Sequence, residues 1–498
     1  MQTITFAHLW IDGAFRANVA VQIDDEGRVA RQTPGPSAAQ QLGNEPSAAG
    51  RSAAYVPGLT LPGLANAHCH AFQRLLPAWT QRARASVEDF WSWREAMYTA
   101  AATISADDLE AIAARCYLDL LRGGYTGVAE FLYLHRLGRG ASGPLDADVA
   151  IARAAARTGI RLTLLPTLYQ HGNFGRMAPT PGQRPFIRST DLFLQDLREL
   201  RRRYPPEGQT VLGVAFHSLR AVDVDTISSV AAQLAADGRP AVTHIHVAEQ
   251  PAEVRACRDH YGSTPVALLA ERGLLGPRWA LVHGTHTTTE ELLQIQGSGA
   301  TLVLCPTTEA DLGDGCADAP AYLDAGGQLA IGSDSNIGCN ALWELRQLEW
   351  ALRLLRGRRN VLASGSEPAM ADRLYRAVLR GGWAALGRDP EAGRAADAGR
   401  ADNPGSPAAD GGELERADFV TFDANEGDWG QLPPDYYLSA LVFGTAAPVA
   451  RHVMVGGRWI IRDGRHAEEA QVDARYRATL ERLKLPLRAA LMAPLPGG

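Results

Sequence analysis

The heptapeptide LANAHCH, residues 64–70, is an apolar run that stops on two histidines separated by one residue. In an extended strand alternate side chains share a face, so His68 and His70 point together and Cys69 points away. The format recurs down the chain as a short apolar run, a polar turn and a longer helical stretch. Further runs begin at Tyr125 (YTGVAEFLY), Arg161 (RLTLLPTL), Thr210 (TVLGVAFHS), Ala241 (AVTHIHVAE), Trp279 (WALVHGT), Thr301 (TLVLCPTTE) and Leu329 (LAIGSDS). Helical patterns fill the intervals at 107–122, 146–157, 190–204, 223–237 and 287–296. Asp146 opening one of them, and a run of Thr leading into the last, are N-terminal helix signals. Strands buried on both faces of a parallel sheet read as near-continuous apolar runs, and these do. Eight βα units predict an α/β fold, a (β/α)8 TIM-like barrel over 58–390. An open doubly wound sheet would carry a Gly-rich phosphate turn after its first strand, and HCHAFQR is not one.

The flanks follow a different rule. FAHLWIDGAF and VQIDDEGRVA near the N-terminus, and RHVMVGGRWIIRDGRH near the C-terminus, alternate around Asp-Gly, Glu-Gly and Gly-Gly turns. A small β-sandwich domain built from 1–57 and 413–470 is therefore expected. The tract 391–412 (EAGRAADAGRADNPGSPAADGG) has almost nothing large and apolar, which predicts a flexible insert. A C-terminal helical segment is expected over 471–498.

Composition narrows the partners. The 498 residues carry 49 Lys+Arg against 55 Asp+Glu, a formal charge of −6, which gives no electrostatic reason to expect nucleic acid or an anionic membrane. No apolar run reaches the ~18–20 residues of a spanning helix. The N-terminus has no basic region followed by an apolar one, so the expected compartment is the cytoplasm. Six scattered cysteines without a CxxC pair read as reduced thiols.

Barrel active sites form at the C-terminal ends of strands. The first run ends in His68 and His70, the fifth in His246 with Glu249 three residues on, the sixth in His283 and the eighth in Asp334. Paired imidazoles suit a divalent transition metal, zinc (Zn2+) above all. The structural alternative, hydrogen-bonded core histidines, gives no reason for imidazoles and carboxylates to gather at strand ends. His244 shares a face with His246 but lies two residues deeper, and is the alternative ligand.

The segments PGLANAHCHAFQR, FWSWREAMY, EFLYLH, FHSLRAV, HIHVAEQ, LVHGTH, CPTTEADLGDG and GSDSN resemble the amidohydrolase superfamily. More narrowly, HAFQR, WSWR and FHSLR are similar to the N-formimidoyl-L-glutamate deiminases of histidine degradation. The resemblance spans nearly the whole chain. It departs at Cys69, where Ser is expected in many members, and in the length of 391–412.

The resemblance implies one divalent metal ion, most simply zinc, held by His68, His70, His246 and Asp334. Such an ion can lower the pKa of bound water to near ~7. Asp334 would also take a proton from that water, Glu249 would protonate the leaving nitrogen, and His283 would stabilise the developing charge. No lysine follows the fourth run, whereas binuclear members generally carry a carboxylated lysine; this favours a single metal. The implied substrate is a small dicarboxylate with an amidine-like head. Arg220 is the best candidate for a bidentate carboxylate clamp and Arg94 for the second carboxylate. Gln73, Tyr133 and His217 match the family's substrate contacts, while Arg74 would point elsewhere. The Trp-rich stretch 90–93 reads as packing or lid. A homodimer is implied by the resemblance alone. The rival readings are a deaminase of guanine or another aminated heteroaromatic ring, whose pocket would need aromatic stacking more than arginines, and a non-catalytic scaffold, which would hold no stoichiometric metal.

Overall fold

A computed structural model describes residues 1–34, 54–82, 89–138, 143–206, 208–238, 241–388, 416–423 and 431–492. The expected insert at 391–412 lies outside the described residues. The chain opens with strands β1 (Gln2–Ile11), β2 (Ala14–Ile23), β3 (Val29–Pro34) and β4 (Ala54–Pro62). It then lays down β5 (Leu64–Cys69), β6 (Tyr125–Leu132), β7 (Arg161–Leu168), β8 (Thr210–Leu212), β9 (Val214–Ser218), β10 (Thr243–Val247), β11 (Trp279–His283), β12 (Thr301–Leu304) and β13 (Gln328–Ile331). It ends with β14 (Phe419–Phe422), β15 (His452–Val455), β16 (Arg458–Arg462) and β17 (Arg465–His466).

The middle group is the eight-unit parallel barrel, in the order β13-β12-β11-β10-β9-β7-β6-β5. The run TVLGVAFHS divides into β8 and β9 at Gly213, where a Cβ would stand 2.5 Å from Leu165 Cδ2 and 2.7 Å from Val242 Cγ2. The bend lets one run pair with β7 at both of its halves. The ring closes through backbone at its mouth: Asp334 N donates to the His68 carbonyl at 2.9 Å and His70 N to the Asp334 carbonyl at 3.0 Å. Gly332 permits that approach, since a Cβ there would lie 2.7 Å from His68 Cβ and 2.8 Å from its carbonyl oxygen. All six residues of β5 and all eight of β6 are buried, the signature of strands covered on both faces. Helices Ala106–Arg122, Asp146–Thr158, Thr190–Arg203, Val224–Ala236 and Thr289–Ser298 occupy the predicted intervals. The last is started by Thr288 in a reciprocal capping arrangement with Glu291. Asp146 instead sits at the first helical position, with its carboxylate accepting from Gly143 N at 2.7 Å.

The terminal segments, expected as a sandwich, build in hydrogen-bonding terms one eight-stranded sheet ordered β17-β16-β15-β14-β4-β1-β2-β3. It is antiparallel except where β1 and β4 run parallel. The two-residue turns Asp12-Gly13, Gly456-Gly457 and Asp463-Gly464 all have positive φ at both positions, the hairpin geometry matched to strand twist. Ile4, Phe6, Val21, Phe419 and Met454 form its own core, with the Phe6 and Phe419 rings 5.0 Å apart. The C-terminal helix Glu469–Met492 returns to the barrel, where Arg475 and Arg482 pair with Glu110 and Asp108 of the helix Ala106–Arg122. No described helix is long and apolar enough to cross a membrane.

Candidate active site

The ends of β5, β10 and β11 and the turn after β13 converge on one cavity at the barrel mouth. His70, Gln73, Arg94, Tyr133, His217, Arg220, His246, Glu249, His283 and Asp334 all line it. His68 lies immediately beneath, fully buried.

At the floor, His68 Nε2 stands 3.1 Å from His70 Nε2 and 3.1 Å from His246 Nε2. Asp334 Oδ1 is 3.4 Å from His68 Nε2 and 3.3 Å from His70 Nε2. Ligand atoms around a tetrahedral zinc at ~2.0–2.1 Å stand roughly 3.3 Å apart, and each of these four separations is close to that value. The tautomers agree. His70 Nδ1 meets the Phe131 carbonyl and His246 Nδ1 the His217 carbonyl, each at 2.8 Å. A carbonyl only accepts, so both Nδ1 atoms carry hydrogen and both Nε2 atoms present lone pairs. Burial pushes the pKa values of His68, His70 and His246 down, and neighbouring imidazoles add to this at His68 and His246. Neutral lone pairs facing one point are unfavourable alone and become favourable around a cation. The three imidazoles can therefore hold a metal ion, with Asp334 Oδ1 beside two of them. The chain's single lysine, Lys484, is on the C-terminal helix beside Glu481, remote in sequence from every strand end. His244 turns elsewhere and bonds the Ala385 carbonyl at 2.8 Å. Cys69 faces away, toward Asn336 Oδ1 at 3.5 Å.

Above the floor, His283 Nε2 lies 3.5 Å from Glu249 Oε1 and 3.9 Å from Asp334 Oδ2. Its Nδ1 faces Glu309 Oε1 at 3.3 Å, and that oxygen also accepts from Cys305 N at 2.8 Å. Burial works against a charged His283, but Glu249, Glu309 and Asp334 together outweigh it and raise its pKa. Burial lifts the Glu249 carboxyl to about 7, at the edge of protonation. The backbone here is strained. Of the nine non-glycine residues with positive φ among those described, four belong to this mouth: Ala248 (51°), His283 (73°), Asp334 (45°) and Asn336 (62°). Asn336 explains how one is held, its amide donating at 3.0 Å to the carbonyls of both His70 and Asp334.

At the other end of the cavity, Arg220 is 5% exposed and makes no ion pair within 4 Å among the described residues. Its Nε is buried without a hydrogen-bond partner. The ion pair of Arg94 among the described residues is a long one, 4.0 Å, to the half-exposed Glu95. Gln73 Nε2 donates to the Tyr133 hydroxyl at 2.8 Å, leaving Gln73 Oε1 without a partner. The His217 ring packs on Tyr169 and Tyr133, with centroids 4.4 and 5.2 Å away. Arg74 points away from the cavity, toward Asp119.

Sequence reasoning did not single out three groups here. Glu309 and Asp314 lie in the quoted segment CPTTEADLGDG, and both are buried near His283. Glu309 closes the quoted run TLVLCPTTE but sits in the helix Pro306–Leu312, beyond the end of the strand Thr301–Leu304. Glu253 accepts from Glu249 N at 3.1 Å and fixes the backbone at that turn.

The Amidohydrolase family profile matches residues 59–402. Formimidoylglutamate deiminase of Pseudomonas aeruginosa is 39% identical over 456 residues, covering 91% of this chain and 93% of that protein. The 8-oxoguanine deaminase of the same organism is 28% identical over 440 residues, 85% of this chain and 87% of that protein. Among solved structures, an amidohydrolase from Brucella melitensis superposes with a TM-score of 0.83 at 34% identity, covering 97% of this chain and 100% of that one. An adenosine deaminase from Xanthomonas campestris with bound zinc superposes at 0.74 and 21% identity over 97% of this chain and 98% of that one, a likeness of fold alone.

Proposed function

The chain belongs to the amidohydrolase family, and from that premise we propose that it hydrolyses N-formimidoyl-L-glutamate to N-formyl-L-glutamate and ammonia. The observation that carries this reading is Arg220, a buried guanidinium facing the cavity of the three imidazoles, with no described carboxylate within 4 Å and only the longer-range attraction of Glu253 and Glu249 to offset its burial. Those carboxylates stand too far off to occupy its N–H edge, which a substrate carboxylate would fill. Arg94 on the same cavity wall serves the second carboxylate. An uncharged purine would leave both cations uncompensated.

His68, His70, His246 and Asp334 would hold the metal. A divalent ion there supplies the Lewis acidity that lowers the pKa of a water to near ~7. Asp334 Oδ2, turned from the ligand cluster toward His283, takes a proton from the attacking water. His283, protonated and aimed by Glu309, donates from Nε2 toward the oxygen being added to the formimidoyl carbon. Glu249 delivers a proton from its carboxyl to the terminal nitrogen as water adds; the proton held by Asp334 then passes to the same nitrogen while the added hydroxyl returns its proton to Glu249, so that the carbonyl forms as the C–N bond breaks and ammonia leaves. Gln73, Tyr133 and His217 line the wall between the two ends and orient the amidine.

The test is kcat/KM by ammonia release for N-formimidoyl-L-glutamate beside guanine and 8-oxoguanine. The amidine should lead by at least about a hundredfold. Turnover of a purine with none of the amidine would overturn the assignment.

A further inference from the structure

The two arginines of the cavity share one neighbour. The guanidinium carbon of Arg94 lies 4.5 Å from the centroid of the Trp91 ring, and that of Arg220 lies 5.8 Å from the same point. Arg94 also lies 5.4 Å from the Tyr98 ring. Trp91 itself is not among the residues that line the cavity. Its position is set by the first turn of the helix Phe90–Ala101. The Asp89 carboxylate accepts from Trp91 N and Ser92 N, each at 3.0 Å, and the Phe90 ring meets the indole edge-on at 5.0 Å.

Arg220 is buried and Arg94 half-buried, both against one indole, and Glu253 and Glu249 offset the Arg220 charge only at longer range. A protein carboxylate in direct contact would occupy the in-plane N–H edge that a substrate carboxylate must grip. An aromatic face attracts a cation through its quadrupole and leaves those edges open. We propose that Trp91 is the positioning residue that makes this pocket a dicarboxylate site, holding Arg94 and Arg220 together as two unoccupied clamps. The proposal deepens the functional reading above and rests on it for the identity of the substrate, but not for the recognition of a dicarboxylate.

The experiment is calorimetric titration of the metal-loaded enzyme with glutarate, a dicarboxylate without an amidine, for wild type, Trp91→Phe and Trp91→Leu. Steady-state kinetics on N-formimidoyl-L-glutamate run in parallel. Trp91→Leu should weaken glutarate binding about tenfold and raise KM by a similar factor, with kcat within about twofold; Trp91→Phe should restore binding to within about threefold. A Trp91→Leu enzyme that binds glutarate like wild type would overturn the proposal. So would Phe and Leu variants equally impaired, which is the result of lost packing alone, or a wild type that binds no glutarate. Glutarate binding that follows the expected order, in a protein that releases no ammonia from the amidine, would sink the substrate assignment and leave the role of Trp91 standing.

Discussion

The two ends of the cavity are built on opposite terms. At the floor, the ring nitrogens of His70 and His246 that face away from the cavity are bonded to backbone carbonyls, and the Asp334 backbone is bonded to both His68 and His70. At the far end, Arg220 has no ion pair among the described residues and leans on a ring face. Chemistry needs lone pairs fixed before the substrate arrives, because reorganisation at the moment of reaction raises the barrier. Recognition needs donors left open, because a satisfied arginine has nothing to offer a carboxylate. One end is finished by the protein and the other by its ligand.

That contrast can be broken at several points. The largest effect is expected at the floor. His246→Ala removes one corner of the donor set, and metal content by mass spectrometry should fall well below one per chain, with kcat/KM down at least about a thousandfold. Full metal retention with near-normal turnover would show that the imidazoles are structural. Next comes the open end, where Arg220→Met should raise KM about a hundredfold while kcat changes far less. An unchanged KM would mean that the carboxylates bind elsewhere. A smaller loss, about tenfold in kcat, is expected for Glu309→Ala. Glu309→Gln should stay within about threefold, because its amide oxygen can still accept from Cys305 N and from His283 Nδ1. Equal losses in the two variants would transfer the role from orientation to charge.

The least effect on turnover is expected from Glu130→Gln, which probes the wall behind the floor. Burial lifts the Glu130 carboxyl to about 7, although it accepts from Ala71 N and the Tyr117 hydroxyl. The fold thus favours its protonated form. Its contribution is complete below the unfolded carboxyl pKa of about 4.3 and is lost as pH rises through 7, on the order of 3–4 kcal/mol. The thermal midpoint of wild type relative to Glu130→Gln should fall across that window. A constant difference would contradict the shift.

The contrast also explains what the sequence could and could not tell. The barrel was legible because strands covered on both faces must be apolar throughout, and the runs from Leu64 to Leu329 are. The polar residues of the floor were legible because a histidine or carboxylate that ends such a run has few other reasons to be there. Glu309 escaped because it acts from within a helix, after the strand end has passed. Trp91 escaped because its neighbour Arg220 is far along the chain, and only the packing of the helix Phe90–Ala101 over the mouth brings the two together. The division of TVLGVAFHS at Gly213 was hidden for the same reason, since the side chains that demand it, Leu165 and Val242, belong to neighbouring segments. What a strand carries in its own period is readable; what one element imposes on another is not.

The central claim is that this mouth adds water to the formimidoyl carbon and expels the terminal nitrogen. Turnover of N-formimidoyl-L-glutamate in oxygen-18 water, followed by mass spectrometry, tests it directly. The expected products are one ammonia and one N-formyl-L-glutamate carrying a single labelled oxygen in its formyl group. Labelled formamide with free glutamate, or a formyl group without label, would contradict it.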